Sequence, residues 1–172
     1  MALRFMFDVN PVSLYGTGFA YGYVVMDGDI IVESGECYSR EGMVAAANNK
    51  WVRENILEPL ALPVAGPNVV ATDLELRNRF FSTYKRWKDA GAEIWSDCVW
   101  PMEANFLSAV IADGGGSRDR ERPYPIRDAM EILQRVGDPD RNEYSGLDGL
   151  TEYHPLDDAK ASAVALLRAE RE

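Results

Sequence analysis

The amino-acid sequence predicts one α/β domain in which a mixed β-sheet is flanked by helices. Three observations predict this class: three strand-like segments follow one another at the start, a further strand-like segment lies between helices, and the last part of the chain has helical patterns. The predicted order is β-β-β-α-α-β-α-α-α, which is typical of a mixed sheet covered by helices. A chain of 172 residues is long enough for one such domain with a sizeable core, and we assign residues 1–172 to it.

The first part of the chain is predicted to form a three-stranded antiparallel meander. Residues 4–9 indicate a short buried strand that ends in an acid, and residues 10–17 indicate a loop. Residues 18–27 are rich in Tyr and Val and predict the second strand, and residues 30–38 return as the third. Gly28 with the residue after it gives the tight turn between the last two strands.

The rest of the chain is predicted to be mainly helical, with one more strand. The second helix has an apolar face, because Leu76, Phe80, Tyr84 and Trp87 recur at helical spacing. The first predicted helix covers 41–57, with Trp51 among its core contacts, and a break follows over 59–68. The second helix runs from Thr72 or Asp73 to about Ala90 and is followed by a strand over 92–99. The remaining elements are a helix from Pro101 through Ile111, a loop over 113–123, a helix from Pro125 over Ile126–Val136, and a last helix over 156–170.

Composition and charge exclude some classes of protein. The formal net charge is −10, which argues against a nonspecific duplex-DNA binder, because such binding depends on Lys and Arg neutralising phosphates. A metal-dependent nuclease remains compatible, since it concentrates carboxylates at one site and the cations invert the local charge. The acidity can also serve solubility alone. No stretch approaches the ~20 apolar residues of a membrane span.

Cysteine usage and the N-terminus predict a cytoplasmic protein. Cys37 and Cys98 form no metal-ligand or redox spacing and are interpreted as two free thiols in a reducing compartment. The first ten residues lack the basic start, long apolar run and small-residue cleavage site of a signal peptide.

Acidic residues near the ends of two predicted strands are candidates for a metal site. Asp8 ends the first strand, where a charge near the core is costly unless a metal or hydrogen bonds compensate it; Asp is also a common turn residue. Asp97 lies at the end of the later strand, and Glu103 lies in the first turns of the helix that follows. Glu103 can instead simply complement the helix dipole. Asp128, near the start of the next helix, has the same two interpretations.

The last helix is preceded by the only histidine of the chain. His154 can act as a general base near neutral pH, and an aspartate in the following helical turn can bind a metal. Alternatively, Asp157 and Asp158 complement the dipole of a helix that starts at Pro155, and His154 lies in a surface loop.

In this order, the segments resemble the DEDD 3′-5′ exonuclease family, in the subclass that uses a histidine. The resemblance spans nearly the whole chain, although each motif is short. The matching segments are Phe7-Asp8-Val9-Asn10 with Leu14, Glu103-Ala104-Asn105-Phe106-Leu107, Tyr124-Pro125-Ile126-Arg127-Asp128, and His154 to Ala159. The resemblance implies a ribonuclease H-like fold and a phosphodiesterase reaction with two Mg²⁺ or Mn²⁺ ions.

The resemblance also implies the roles of individual residues. Asp8, Glu103 and Asp158 would bind the metals, Asn10 would lie beside them, and His154 would take a proton from the attacking water. Two metals about 3.5–4 Å apart activate the water and stabilise the departing oxygen, and such hard cations prefer carboxylate oxygens. The substrate would be the 3′ end of a short single-stranded RNA or DNA. Small exonucleases of this fold often dimerise, so a homodimer is a compatible assembly.

Three departures from the family pattern leave a second hypothesis open. Asn10 stands where the family has Glu, and Glu103 stands where Asp is usual. His154 lies four residues before Asp158 instead of five, which puts Tyr153 at the usual histidine position. The chain is therefore either a working exonuclease or a degenerate relative that binds nucleic acid or a protein partner without cleavage; a phosphatase or another ribonuclease H-like nuclease is a more distant alternative.

Exposed aromatic and basic residues are candidates for substrate contacts. Tyr15 and Trp100 are placed to stack on bases of a single strand, although both can equally be core or rim aromatics. Arg118, Arg120 and Arg122 can bind a phosphate, but their alternation with acidic residues favours a solvated loop. Nothing in the sequence separates RNA from DNA.

Overall fold

In the computed structural model, which describes residues 3–122, 125–137 and 149–171, six strands form one mixed sheet with helices on both faces. The predicted α/β class and the antiparallel meander are confirmed. The strand order is β4-β3-β2-β1-β5-β6. The strands are β1 (Leu3–Pro11), β2 (Gly18–Asp27), β3 (Ile30–Ser39), β4 (Val69–Val70), β5 (Glu93–Ser96) and β6 (Ile126–Asp128).

The helices follow the predicted order with two interruptions. A π-helical turn over Arg53–Leu57 joins α2 to α3, and an irregular turn over Val99–Glu103, in which Trp100 is extended, precedes α5. Of the described helices, none is both long and apolar enough to cross a membrane. They are α1 (Arg40–Ala46), α2 (Lys50–Val52), α3 (Glu58–Leu60), α4 (Asp73–Asp89), α5 (Ala104–Ala112), α6 (Ala129–Arg135) and α7 (Pro155–Ala169).

Alternation along β1 supplies residues to two different layers. Phe5, Phe7 and Val9 belong to the large core beneath α4 and α5. Met6 belongs to a second core against α7, and Asp8 shares its face because side chains alternate along a strand. The first strand therefore presents an apolar row to one side and carries its acid into the layer that α7 covers.

Helix α4 begins as the sequence predicts. Thr72 and Glu75 form a reciprocal capping box, in which each side chain accepts a hydrogen bond from the backbone at the other's position. Leu76, Phe80 and Tyr84 are buried along the predicted apolar face. The two cysteines are free thiols, with Cys37 buried and Cys98 partly exposed.

Three expectations about local structure are wrong. The helix predicted from Pro125 over Ile126–Val136 begins only at Ala129, because residues 126–128 pair as a parallel strand with β5. The helix predicted over 41–57 is interrupted after α1, and Asn49 caps α2 as a new start. Trp51 is 52% exposed instead of being a core contact, because this interruption breaks the helical phase on which the prediction depended.

The N-terminus of α7 lies directly on the sheet at Gly22. A Cβ at this position would overlap the backbone nitrogen of Leu156 and the carbonyl of Pro155. The register places Gly22 between Asp8 of β1 and Glu36 of β3. Only a glycine therefore allows the start of α7 to lie between these two acidic residues.

We predict that Gly22→Ala destabilises the protein by at least about 2 kcal/mol. Replacing glycine by alanine reduces the conformational entropy of the unfolded chain, which by itself stabilises the folded protein where the native backbone accepts alanine. A loss of stability in this variant therefore reports the overlap of the new Cβ with the α7 backbone. The measurement is urea unfolding. Gly35→Ala is the control, because its Cβ would meet the movable ring of Tyr23. Equal stability of Gly22→Ala and wild type would contradict the close contact of the α7 backbone with Gly22.

Candidate active site

Three parallel strands carry acids at or near their carboxyl ends; Asp8 does not end β1 as predicted, because the pairing of this strand with β2 continues to Pro11. Strands β1 and β6 both run parallel to β5, so these ends meet at one edge of the sheet. Ser96, the last residue of β5, pairs with Phe7 on one side and with Asp128 on the other. Asp8 and Asp97 each follow one residue later on adjacent strands, and both are buried. The strand register thus brings these acids to one edge.

Glu103 is the most deeply buried acid at this edge. It is 1% exposed and is the last residue before α5. The pKa of its carboxyl is raised to about 8, mainly by burial and also by the Asp97 carboxylate, although hydrogen bonds from the backbone N–H groups of Glu103 itself and of Val9 lower it. The hydrogen bond from Val9 places Glu103 beside β1, next to Asp8. Glu103 Oε2 has no hydrogen-bond partner within the described part of the chain.

Asp128 has a structural role at the same edge. It caps α6: one carboxylate oxygen accepts from the backbone N–H of Met130 at 2.9 Å, and the other accepts from Val99 at 3.2 Å. These bonds fix the irregular turn that leads to Glu103. The capping interpretation of Asp128 is therefore confirmed, although its charge also raises the pKa of Glu103.

The two aspartates in the first turn of α7 have different surroundings. Asp158 is buried in the layer between α7 and the sheet. Asp157 accepts a hydrogen bond from the backbone N–H of Thr151 at 3.1 Å and contacts Lys160 at 3.4 Å. Asp157 therefore ties the preceding loop to the helix, whereas Asp158 lies on the buried side of the same turn.

Asn10 uses its amide as a donor. Its side chain is almost fully buried, and its Nδ2 donates to the backbone carbonyl of Tyr153 at 2.8 Å. A carboxylate cannot make this bond, because it has no proton to donate near neutral pH. The asparagine thus joins β1 to the residue before the cap of α7.

His154 points towards β3. Its Nε2 lies 3.1 Å from Tyr38 Oη and 3.6 Å from Glu36 Oε2, and its Nδ1 lies 3.6 Å from Asp157. Since Gly22 and the start of α7 separate Glu36 from Asp8 in the sheet row, the imidazole lies on the opposite side of the α7 N-terminus from Asp8. Its role as general base stays a prediction.

The predicted substrate aromatics are both at the surface. Tyr15 is 71% exposed and Trp100 is 67% exposed, which rules out a core position for either. The Tyr15 carbonyl accepts a hydrogen bond from Asn105 on α5, so its loop is held near the helix that follows Glu103.

The arginines of the glycine-rich loop make internal contacts. Arg118 donates to the carbonyl of Val110 and to Asn78 Oδ1, and its guanidinium lies 4.1 Å from the ring centroid of Phe81. Arg122 donates to the backbone carbonyl of Asp119. These contacts give the two arginines structural roles within the loop, in place of the phosphate contact that the sequence left open.

Sequence reasoning missed a pair of exposed rings. Trp51 and Tyr153 meet edge to face, with centroids 5.7 Å apart. The signal for Tyr153 was present, because it stands where the family pattern has histidine. Tyr124, part of the predicted proline-bounded strip, lies outside the described residues.

A ready-made metal centre is absent from residues 3–122, 125–137 and 149–171, where no group of three or more His, Cys, Asp or Glu side chains could hold a metal ion. The Glu103 carboxyl nevertheless fits a cation, because its Oε2 is buried and accepts no hydrogen bond there. The metal site predicted at Asp8, Glu103 and Asp158 therefore stays a prediction.

Comparison with family models and with curated proteins gives no match. No family model matches the chain, and no curated protein matches it either. The functional argument consequently depends on the residues and their geometry.

We predict that Glu103→Gln makes the metal-free protein more stable relative to wild type as pH rises. The pKa of the Glu103 carboxyl in the folded state, about 8, exceeds the ordinary value of 4.5. The contribution of this carboxyl to the free energy of unfolding is therefore fully present below pH 4.5 and is lost as pH rises through 8. Glutamine does not ionise, so the variant avoids this loss of stability. At high pH its free energy of unfolding should exceed that of wild type by an amount on the order of a few kcal/mol. Urea unfolding in EDTA at pH 5 and pH 9 measures it. Glu131→Gln on the exposed face of α6 is the control; parallel pH profiles of wild type and Glu103→Gln would contradict the assignment.

Proposed function

We propose that the chain is a metal-dependent 3′-5′ exonuclease with a ribonuclease H-like fold, hydrolysing phosphodiester bonds of short single-stranded RNA or DNA in the cytoplasm. The observation that carries the proposal is the buried Glu103 carboxyl, whose Oε2 has no hydrogen-bond partner in the described ranges and which lies beside the strand that bears Asp8. A buried carboxyl of this kind is costly for stability and has a reason to persist if it binds a cation.

Three buried acids are assigned to metal binding. Asp8 comes from β1, Glu103 from the turn before α5, and Asp158 from the first turn of α7. Carboxylate oxygens are the ligands that Mg²⁺ and Mn²⁺ prefer. When bound, two such ions would activate a water and stabilise the oxygen that leaves the phosphorus. Asn10 lies beside this set on the same strand, with its Nδ2 already engaged by Tyr153.

The proposal assigns proton transfer to His154 on the strength of the family resemblance. Its ring now contacts Tyr38 and Glu36, so a turn of the side chain towards Asp8 would have to precede its action as a base. The exposed rings of Tyr15 and Trp100 are assigned to substrate bases, since stacking tolerates any sequence.

A second candidate function is binding of single-stranded nucleic acid without cleavage. Two observations favour it: the Asn10 amide is used to hold the Tyr153 carbonyl, and His154 lies on the far side of the α7 N-terminus from Asp8. Both differences affect groups that the cleavage reaction would need, while leaving the fold and the exposed rings intact.

The deciding experiment incubates pure protein with Mn²⁺ and short RNA or DNA oligomers that carry a label at the 5′ end. Exonuclease activity from the 3′ end predicts a ladder of labelled products, each one nucleotide shorter. An oligomer blocked at its 3′ terminus should resist cleavage. Intact oligomers after long incubation, with binding retained, would favour the second candidate function.

We predict that Asp8→Asn lowers the cleavage rate by at least about 100-fold, because changes to groups that only support metal ligands already cost 10–100-fold. The protein should remain folded, since asparagine has the size of aspartate. Product formation with time measures the effect. Asp29→Asn, at an exposed ion pair with Arg171, is the control and should cleave like wild type. Undiminished cleavage by Asp8→Asn would remove this residue from the site.

We predict that two adjacent substitutions on α7 separate metal binding from loop attachment. Asp158→Asn should weaken Mn²⁺ binding by at least about 10-fold. Asp157→Asn should retain binding within about 3-fold, since its amide oxygen can still accept from the Thr151 N–H. Calorimetric titration of each variant with Mn²⁺ measures both. If the two variants lose affinity equally, Asp158 has no special position in the site.

A further inference from the structure

Two exposed aromatic rings lie at the start of α7 and the start of α2. Trp51 is 52% exposed and Tyr153 is 37% exposed. Their ring planes meet at 86° with centroids 5.7 Å apart. In an edge-to-face pair, the ring that contributes its edge has neither of its faces covered by its partner. The pair, which we call the aromatic ledge, therefore combines a fixed arrangement with open ring surface.

The backbone at Tyr153 is held in an unfavourable conformation. Its φ is +65°, a left-handed value that is uncommon for a residue with a large side chain. Such conformations cost of order 1–3 kcal/mol and persist where the surroundings impose them, most often at functional sites. Here the surroundings include Asn10, whose buried amide binds the Tyr153 carbonyl.

The same hydrogen bond ties the backbone of Tyr153 to the strand that carries Asp8, one of the proposed metal ligands. Asn10 and Asp8 are two residues apart on β1 and point to the same face, so their Cα atoms are separated by about 7 Å. This offset is on the scale of one nucleotide, in which a single sugar separates the phosphate from the base. A phosphate at Asp8 would leave its base near the ledge.

The charge of the protein explains why a ring contact is needed. With a net charge of −10, the chain repels a polyanion overall, and phosphate contacts alone give little affinity. Stacking of a base on aromatic rings is favourable for every base and does not depend on net charge. Exposed rings beside an acidic site are therefore suited to a nucleobase.

We propose that Trp51 and Tyr153 bind the base of the 3′-terminal nucleotide of a single strand. This assignment rests on the proposed function, which makes the ligand a single-stranded nucleic acid. It adds that the terminal base is the group that the two rings recognise. Asn10 acts as the positioning residue, because it holds the Tyr153 backbone and does not touch the base.

The experiment measures binding in EDTA, so that cleavage plays no part. Fluorescence anisotropy compares two labelled oligomers that differ only at the 3′-terminal residue, which has a base in one and is abasic in the other. Wild type should bind the first about 5- to 100-fold more tightly, the range expected for one stacked base. Trp51→Ala and Tyr153→Ala should bind the two oligomers equally.

Matched variants separate ring contact from damage to the fold. Trp51→Phe and Tyr153→Phe retain a ring and should keep most of the preference for the base. Leu74→Ala, at an exposed apolar residue of α4, should behave as wild type. Circular dichroism verifies that each variant is folded, and the exposed position of Trp51 makes its substitution the safer test of the pair.

Equal binding of the two oligomers by wild type, or a preference that survives both alanine variants, would overturn the assignment. So would a change from dimer to monomer in Trp51→Ala without any effect on the base preference, because the ledge would then be a subunit contact. If the protein prefers the oligomer with a terminal base but does not cleave in Mn²⁺, the exonuclease proposal is wrong and the ledge assignment stands. If it cleaves but shows no base preference, the ledge assignment is wrong and the exonuclease proposal stands.

Discussion

The contact on which the rest of the candidate site depends is the backbone of Pro155 and Leu156 lying on Gly22. Because no Cβ intervenes, the first turn of α7 reaches the sheet between Asp8 of β1 and Glu36 of β3. The N-terminus of a helix carries partial positive charge, so it lies favourably between two acidic residues. One glycine thus decides where the helix begins and divides the polar residues of this layer into two groups.

The polar group around His154 and the polar group around Asp8 have different surroundings. Around His154, the imidazole lies between the carboxylates of Glu36 and Asp157 and beside the Tyr38 hydroxyl. On the Asp8 side, burial raises the pKa of the Glu103 carboxyl to about 8, and the charges of Asp97 and Asp128 contribute to this rise. Under the proposed function, the group around Asp8 binds the cation, and the group around His154 lies apart from it.

The sequence predicted the meander because its strands alternate and a glycine marks the turn at Gly28. It also predicted the cap of α4 at Thr72, since the capping box is a local signal. The strand at 126–128 was missed because three residues paired at a sheet edge leave no periodic pattern. The direction of His154 was equally hidden, and so was the positive φ of Tyr153 before it, which a tyrosine rarely adopts. The strands of the meander could be placed from patterns, but the end of β1, the bounds of β5 and the side-chain directions at the α7 cap could not.

Asn10 is the residue at which the two candidate functions diverge. The family pattern expects a glutamate there, which would add a negative charge for a cation but would repel the Tyr153 carbonyl. Asparagine removes that charge and supplies the N–H that holds the carbonyl at 2.8 Å. Under the proposed function, this residue weakens the metal site and strengthens the attachment of the aromatic ledge. Since cleavage would depend on the metal site and substrate binding on the ledge, Asn10 favours the second candidate function, binding of a nucleic-acid end without cleavage.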